Sequence, residues 1–387
     1  MPSIEPSSHF TQLRDWSERK HQVLKDYLPA FCRVLSRRAE TIWYVDGYAG
    51  AGIYRDPNNP DAPGHPGSPV LAAKIIQTLP YPIRCINVEG DQENFGSLQR
   101  ETAHFANVES IHGDFNAVID QILSRVAEMP AFFFLDPFGT KDLPMEGLVD
   151  KIALRTKPTD ILLRYATETV RRVAAAYEKD AKRGSAHGRN LDKWFRGQDW
   201  RTIIEQHTGD ERDEALIRYY LKQLVTISNS RMRFACAYPI RSTEGLTKYH
   251  LVFATGDRLG MKVMSDILYK AEAKYVEEHA AYIEQKEAGK LKGQTMFDFA
   301  NPHTEPSAAD QLTAKIAKIE QSILDQRQHR THWEFDDLRC TLIEHGWFAR
   351  FSEKEFRDAC KGLYAKGQIE RVSAGKGWNK GTVFILR

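Results

Sequence analysis

Four short apolar runs in this sequence end in groups of residues whose types suit ligand binding or catalysis. The groups are VDGYAGAG at 45–52, NVEGD at 87–91, HGDFN at 112–116 and FFFLDPFG at 132–139. Each contains a carboxylate and at least one glycine. Carboxylates accept hydrogen bonds from hydroxyl and amino groups, and glycine lets the backbone approach a ligand closely. The shared pattern predicts one composite site.

The segment VDGYAGAG predicts a cofactor-binding turn. Asp46 would end a strand, and Gly47, Gly50 and Gly52 would shape the turn that follows it. In open α/β sheets, ligands bind beyond the carboxyl ends of the strands. The segment is not a strict G-x-G-x-x-G and lacks the G-K-[ST] of a P-loop, which excludes a P-loop site. A plain strand-to-helix turn is the alternative.

Three further positions extend the predicted cofactor site. Glu89 stands where an acidic residue typically accepts hydrogen bonds from a ribose diol, and Asp91 is a near competitor. We expect Asp114 to meet an adenine amino group and Phe115 to lie beside the ring. The alternative for each acid is a solvated carboxylate on a loop.

The segment FFFLDPFG predicts the catalytic group. An amine conjugated to a ring is a poor nucleophile, and acceptors such as the Asp136 carboxylate and the Pro137 carbonyl favour its reactive, pyramidal form. Phe138 could stack on a base. The segment resembles the [DNS]PP[YFW] motif of amino-group methyltransferases, with Phe at the second Pro position, and more closely the DPFG of tRNA guanine-N2 methyltransferases. The alternative is a strand-ending Asp-Pro turn with a packed Phe.

Alternating strands and helices must position these groups. The apolar run at 42–46 and the predicted strands at 82–90, 107–114, 131–139 and 159–166 alternate with helical patterns, and 232–241 and 247–256 form a late hairpin. Such alternation indicates a mostly parallel sheet covered on both faces. A parallel sheet ending in a hairpin is the order of the Rossmann-like class I methyltransferase fold. Ser68 is the expected N-cap of a helix with Pro69 in its first turn.

The domain organisation follows from composition and pattern. We expect a methyltransferase-like α/β domain over 1–285, with a helical insertion at 167–231, and a linker at 286–310. Residues 311–387 read as three helices and a β-ribbon, the order of a winged helix-turn-helix.

Read together, several blocks resemble the three-Cys-motif partner proteins (TcmP). These blocks are WYVDGYAGAGIY, GSPVLAAK, NVEGDQENFGSLQ, GDFN, FFFLDPFG and YHLVFATGDRLGMKVMSDILY, and the resemblance covers roughly residues 10–300. It implies a methyltransferase-like fold. It also implies a partner protein with a three-cysteine motif, of a kind expected to perform radical S-adenosylmethionine chemistry.

Two basic stretches are candidates for nucleic-acid binding. Residues 164–201 hold ten Lys or Arg against five acidic residues, with Tyr177, Trp194 and Phe195 interleaved, which suits phosphates and stacked bases. A solvated helical face is the alternative. The candidate residues are Arg171, Arg172, Arg183 and Arg189 in this stretch and Lys376, Trp378 and Lys380 in the tail. Winged helices also dock proteins, which is the alternative for the tail.

Composition narrows the class of protein. The 387 residues are 42% hydrophobic and 27% charged, with a net charge of +2, as in ordinary soluble globular proteins. Five scattered cysteines without a C-x-x-C argue against a disulfide framework and a zinc site. No apolar signal core or membrane-spanning run is present, so we expect a cytoplasmic location.

Three functions are compatible with these patterns. The first is an S-adenosylmethionine-dependent methyltransferase acting on an amino group of a nucleic-acid base. The second is a non-catalytic subunit that binds nucleic acid for another enzyme. The third is a metal-dependent nuclease using Glu89, Asp114 and Asp136, which would leave the glycine turn without a role.

Overall fold

The structure, a computed structural model, describes residues 15–55, 64–137, 139–179, 181–291, 307–373 and 377–387. The chain divides into two compact units, Met1–Val263 and Met264–Arg387. This division falls earlier than the predicted linker.

The N-terminal unit alternates strands and helices. Its strands are β1 (Ile42–Asp46), β2 (Ile53–Tyr54), β3 (His65–Pro66), β4 (Ile83–Glu89), β5 (Val108–His112), β6 (Ala131–Leu135), β7 (Thr159–Tyr165), β8 (Phe234–Arg241) and β9 (Thr247–Thr255). Its helices are α1 (Asp15–Leu35), α2 (Ser68–Thr78), α3 (Gln92–Thr102), α4 (Phe115–Arg125), α5 (Asp150–Ala153), α6 (Thr167–Lys179), α7 (Ala181–Phe195), α8 (Trp200–Gln206), α9 (Gly209–Ile227) and the start of α10 (Arg258–Leu291).

Seven of these strands form one sheet in the order β5-β4-β1-β6-β7-β9-β8. The first five run parallel, whereas β9 is antiparallel to both β7 and β8. This arrangement confirms the predicted Rossmann-like class I methyltransferase sheet with its closing hairpin. The chain passes from β1 outward to β4 and β5 and then returns to β6 on the other side of β1. The strand order therefore reverses between β1 and β6.

The side chains of β6 show how both faces of the sheet are covered. All five residues of its AFFFL sequence are buried. Phe132 packs against Tyr27 and Phe31 of α1, with ring centroids 5.3 and 5.6 Å apart. Phe133 and Leu135, which alternate with it, belong to the core cluster that contains residues of α4, α5 and α9. Burial on both faces explains why this strand is a continuous apolar run.

The predicted helical insertion consists of α6, α7, α8 and α9, between β7 and β8. Trp194 and Phe195 are completely buried within it. Trp194 packs against Tyr165 and Tyr220, with centroids 5.6 and 5.4 Å apart. Their interpretation as stacking partners for bases was therefore wrong, since these aromatic residues hold the insertion to the sheet.

The start of α2 also differs from the prediction. Gly67 is the N-cap, and Ser68 and Pro69 are the first residues of the helix. The Ser68 side chain forms no cap and hydrogen-bonds to the Asp46 carboxylate instead. The predicted N-cap was wrong because a buried acid competes for the hydroxyl.

The C-terminal unit holds α11 (Ala308–Asp325), β10 (His332–Glu334), α12 (Phe335–Leu342), α13 (Glu353–Ala365), β11 (Ile369–Arg371) and β12 (Val383–Leu386), together with most of α10. The strands form an antiparallel sheet in the order β10-β12-β11. The three helices and the ribbon follow the predicted order, with β10 added between α11 and α12. Arg339 is fully buried and pairs with Asp266 of α10, so α10 belongs to this unit's packing. The predicted linker positions 286–291 lie in α10, and 292–306 lie outside the described residues.

Candidate cofactor and active site

The carboxyl ends of the parallel strands bring the predicted site residues to one edge of the sheet. Asp46 is the last residue of β1 and pairs in register with Asn87 on β4 and Phe134 on β6. Glu89 ends β4, Asp114 follows β5, and Asp136 follows β6. The four acids therefore belong to four successive strand ends, as the sequence predicts.

The turn after β1 requires its glycines for two different reasons. Gly50 and Gly52 have φ values of +64° and +82°, a left-handed conformation that side chains disfavour. Gly47 lies so close to β6 that a Cβ there would be 2.7 Å from Leu135 Cδ2 and 3.1 Å from the Phe115 ring. The turn is thus pressed onto the strand ends, and Phe115 is buried beneath it.

Glu89 ties this turn to the end of the neighbouring strand. Its Oε2 accepts a hydrogen bond from the Gly50 N–H and its Oε1 accepts one from the Asp91 N–H, both at 2.8 Å. Burial raises the pKa of the Glu89 carboxyl, although these amide donors act in the opposite direction. Asp91 itself caps α3 by accepting from the N–H groups of Glu93 and Asn94. Glu89 therefore has the free lone pairs that a diol could use, whereas Asp91 is committed to its helix.

Asp46 is a fully buried acid at the base of the turn. It accepts hydrogen bonds from the Tyr44 hydroxyl at 3.2 Å and from the Tyr48 N–H at 3.3 Å. Burial raises the pKa of its carboxyl to about 6. A buried carboxyl with its pKa raised in this way, at the end of a strand, is typical of a functional site.

The structure adds Lys20, which the sequence analysis missed. Lys20 lies on α1, is 5% exposed, and forms an ion pair with Asp136. Burial alone would raise the pKa of Asp136, but the charges of Lys20 and Arg164 outweigh it and hold that pKa below its usual value. Burial would likewise lower the pKa of Lys20, but Asp136 keeps it above its usual range. Both partners are therefore ionised at neutral pH.

Arg164 on β7 completes a cationic arrangement around the DPFG segment. Its Nη1 lies 3.9 Å from Asp136 Oδ1 and donates to the Pro137 carbonyl at 3.3 Å. Its guanidinium also lies over the Tyr249 ring, 4.8 Å from the centroid. Both acceptors that the sequence assigned to an amine, the Asp136 carboxylate and the Pro137 carbonyl, thus already have a basic partner. Phe138 lies outside the described residues.

His21 is a second α1 residue at this edge. Its ring centroid is 5.9 Å from that of Tyr54, and it is 4% exposed. Burial and the charge of Lys20 lower its pKa to about 3, so the ring is neutral. Within the described ranges its Nε2 has no hydrogen-bond partner. A buried ring nitrogen without a partner is rare in folded proteins and is available to a ligand.

Asp114 and Phe115 are adjacent in the chain but differ in exposure. Asp114 is exposed and caps α4 by accepting from the Asn116 N–H at 2.7 Å. Phe115 is 2% exposed and packs edge-on against Tyr48 at 5.4 Å. Asp114 is therefore accessible from the site, whereas Phe115 supports the turn from within the core.

The residues predicted to bind nucleic acid differ from one another in exposure and in charge pairing. Arg171 donates to Asp213, which neutralises its charge. Trp378 is 8% exposed and packs edge-on against Tyr364 and Phe384, so it belongs to the core of the C-terminal unit. The exposed candidates are Arg171, Arg172, Arg189 and Lys380, while Lys376 and the side chain of Arg183 lie outside the described set.

The acids that the metal-dependent alternative would use have other partners in the structure. Among the residues that the structure describes, no three His, Cys, Asp or Glu side chains are grouped so as to hold a metal ion. Glu89 is bonded to backbone amides and Asp136 to Lys20 instead. The described helices also include none with the length and apolar composition needed to cross a bilayer.

Comparisons with known proteins give remote structural similarity. No protein family matches the chain, and no curated protein is similar to it. A DUF519 protein from Legionella pneumophila has a TM-score of 0.37 at 12% identity, covering 63% of this chain and 85% of its own. An O-methyltransferase from Bacillus cereus in complex with S-adenosylhomocysteine has 0.33 at 12%, covering 63% and 84%. The N-methyltransferase NodS from Bradyrhizobium japonicum, also in complex with S-adenosylhomocysteine, has 0.31 at 9%, covering 65% and 93%.

Proposed function

We propose that the N-terminal unit is an S-adenosylmethionine-dependent methyltransferase. The observation that carries this proposal is the reversal of strand order between β1 and β6, with Asp46 and Asp136 at the two strand ends that flank it. Ligands of open α/β sheets bind in the crevice at such a reversal. Here the crevice is bordered by the glycine turn and by an ionised acid.

The residues present fit this cofactor. The Glu89 carboxylate has roughly four lone-pair sites, and those not used by backbone amides can accept ribose hydroxyls. The left-handed Gly50 and Gly52 allow close approach of the chain to a ligand. Asp114 is exposed beside the same edge and can accept from an adenine amino group. The unpartnered His21 Nε2 offers one further polar contact.

The chemistry divides between the cofactor and the chain. Bound S-adenosylmethionine supplies a methyl group on a positively charged sulfur. Asp136, held ionised, accepts a hydrogen bond from the acceptor amine and orients its lone pair. The Pro137 carbonyl provides a second acceptor whose position is fixed by Arg164. Lys20 fixes the Asp136 carboxylate and keeps it charged.

The acceptor we propose is an amino group on a nucleic-acid base. The Asp-Pro-Phe order at 136–138 supports it, as do the exposed basic residues Arg172, Arg189 and Lys380. The helix and strand order of the C-terminal unit supports a winged helix-turn-helix that brings the substrate or a partner. The resemblance to three-Cys-motif partner proteins adds such a protein as the proposed partner.

One observation favours the second candidate, a non-catalytic nucleic-acid-binding subunit. The Lys20 ammonium pairs with the Asp136 carboxylate, which is the group that an acceptor amine would use. If Lys20 never yields this position, the crevice binds a cofactor-like ligand without turnover.

The decisive experiment measures binding and transfer separately. Calorimetry with S-adenosylhomocysteine tests the cofactor site, and we expect micromolar binding that Gly50→Val abolishes. Transfer of tritium from labelled S-adenosylmethionine to DNA and tRNA, with and without a three-Cys-motif protein, then tests the reaction. Absence of any S-adenosyl ligand binding contradicts the proposal. Tight binding without transfer to any nucleic acid supports the second candidate.

A further inference from the structure

The amino-terminal edge of the same sheet, opposite the proposed cofactor crevice, contains a separate cavity of about 360 Å³. Pro130 and Pro158, which precede β6 and β7, form its floor together with Asp160 of β7. The second half of α1 and the first turns of α10 form its walls. All of its lining residues belong to the N-terminal unit. Its volume lies within the range of about 300–1,000 Å³ typical of small-molecule sites.

The walls of this cavity are mostly apolar and partly aromatic. Tyr27 and Phe31 contribute rings, and Met129, Leu259 and Val263 contribute aliphatic surface. Leu259 is 38% exposed at this position. The walls therefore favour a ligand with an apolar or aromatic body.

The charges that line the cavity cancel in part. Lys157 forms an ion pair with Glu128 at 3.0 Å, and the exposed Arg38 and Glu40 contribute one charge of each sign to the rim. Asp257 accepts from the Leu259 N–H at 2.7 Å, so the amino end of α10 compensates its charge.

Asp160 is the acid that this arrangement leaves uncompensated. It is 7% exposed, and its hydrogen bonds come from two neutral hydroxyls, those of Tyr27 at 2.5 Å and Thr255. In the described part of the chain it forms no ion pair. Burial raises the pKa of its carboxyl to about 6, which leaves it ionised above neutral pH. Gly260 keeps the acid accessible, because a Cβ there would lie 3.2 Å from Tyr27 Oη and 3.6 Å from Asp160 Oδ2.

We infer that this cavity is a second ligand site, which takes a small organic monocation with an apolar body. The ligand's ammonium group pairs with Asp160, and its body lies against Tyr27 and Phe31, whose ring faces also attract a cation. The methyltransferase proposal assigns no role to these residues. The lining of this site is therefore separate from that of the cofactor crevice.

Calorimetric titrations of the full chain at pH 8 test this inference. The probes are tryptamine, its neutral analogue tryptophol and the anionic indole-3-acetate. We expect tryptamine to bind at least about tenfold more tightly than tryptophol, as is typical of a hydrogen bond to a charged group. Asp160→Asn keeps an acceptor for Tyr27 and removes the charge, so it should abolish this preference. Glu40→Gln, which removes a rim acid, is the matched control and should retain it.

A second pair of variants locates the probe. Ala30 lines the cavity, so Ala30→Phe should block tryptamine binding, whereas Arg33→Phe places the same ring on an exposed position of the same helix and should not. Saturating S-adenosylhomocysteine should leave tryptamine binding in place. Equal affinity for tryptamine and tryptophol, binding that survives Ala30→Phe, or displacement by S-adenosylhomocysteine each overturns the inference. None of these results affects the cofactor proposal, which is tested by S-adenosylhomocysteine binding itself.

Discussion

The Gly50 N–H donates a hydrogen bond to Glu89 Oε2 at 2.8 Å, and this bond joins the turn after β1 to the end of β4. The two residues are 39 positions apart in the chain. The bond fixes the turn in its left-handed conformation and orients the Glu89 carboxylate at the same time. A single contact therefore shapes two parts of the proposed cofactor site.

Glu89→Gln tests this contact. One amide oxygen can still accept from Gly50 or Asp91, but the charge and one acceptor are lost. We expect S-adenosylhomocysteine affinity to fall about tenfold or more, measured by calorimetry. Glu93→Gln, an exposed acid in the first turn of α3, is the matched control. Equal losses in the two variants would contradict a specific role for Glu89.

The Lys20–Asp136 pair makes a prediction about stability. Asp136→Ala leaves a buried ammonium without its counter-ion, which costs about 3–5 kcal/mol in the free energy of unfolding. The double variant Lys20→Met, Asp136→Leu removes both charges and should recover most of that loss. Urea unfolding of both variants checks the expectation. A double variant as unstable as Asp136→Ala would show that the pair does not explain the loss.

Catalysis by Asp136 needs a gentler substitution than alanine, because alanine also disturbs Lys20. Asp136→Asn preserves size and hydrogen bonding, and we expect it to lower methyl transfer about 100-fold or more with little change in S-adenosylhomocysteine affinity. Asp142→Asn is the control, since Asp142 is an exposed acid in the same loop region. If Asp136→Asn transfers methyl groups as fast as wild type, the catalytic assignment fails.

Asp46 predicts a pH dependence of stability. Its pKa is raised from 3.8 to about 6 by burial, so between these values the unfolded chain has released the proton and the folded chain has not. Stability attributable to this group therefore falls as pH rises from about 4 to 6 and stays lower above that. Asp46→Asn should raise the free energy of unfolding at pH 8 by up to about 3 kcal/mol.

For Asp46→Asn we expect the free energy of unfolding to change less between pH 4 and 6 than in the wild type, measured by urea unfolding at each pH. Asp26→Asn, an exposed acid on α1, provides the reference profile. A variant that loses stability at pH 8 would show that the hydrogen bonds of the carboxylate outweigh its desolvation.

The C-terminal unit predicts which fragment folds alone. Besides the Arg339–Asp266 pair, the Tyr269 hydroxyl donates to Glu355 at 2.9 Å, and the Ser265 hydroxyl accepts from the Ala349 N–H at 2.9 Å. All three α10 residues are missing from a fragment that starts at 311. We expect residues 264–387 to melt cooperatively in circular dichroism and 311–387 to be less stable by about 3 kcal/mol or more. Equal melting temperatures for the two fragments would support the domain boundary at residue 311 that the sequence predicts.

The strand ends could be predicted from sequence because each apolar run has few alternative positions in a parallel sheet. The acids Asp46, Glu89, Asp114 and Asp136 follow those runs directly, and their place at one edge is a consequence of topology. Lys20 was missed because its ion pair spans 116 positions and its local sequence, SERKH, has the polar character of an exposed helical turn. A signal existed, since Lys20 lies one helical turn before Val23 and Leu24 on the buried face of α1.

Environments within a helical segment were harder to predict than the segment itself. The insertion between β7 and β8 was expected as helical, but the sequence did not distinguish aromatic residues that pack from those that would stack on bases. Trp194 and Phe195 are buried because α7 packs against the sheet and α9, a contact that depends on the arrangement of distant elements. Likewise, the charge of Arg171 is neutralised by Asp213, 42 positions away.

Helix α1 is anchored to both edges of the central sheet. Lys20 pairs with Asp136 at the carboxyl edge, and Tyr27, about 10 Å further along the helix axis, bonds to Asp160 at the amino edge. Both residues precede Pro29 and belong to one continuous helical segment, so a displacement of that segment that loosens one contact also disturbs the other. If a ligand at one edge displaces α1, it changes the free energy of binding at the other edge, and thermodynamic reciprocity makes the two effects equal in size. Helix α1 is the element through which such coupling would act.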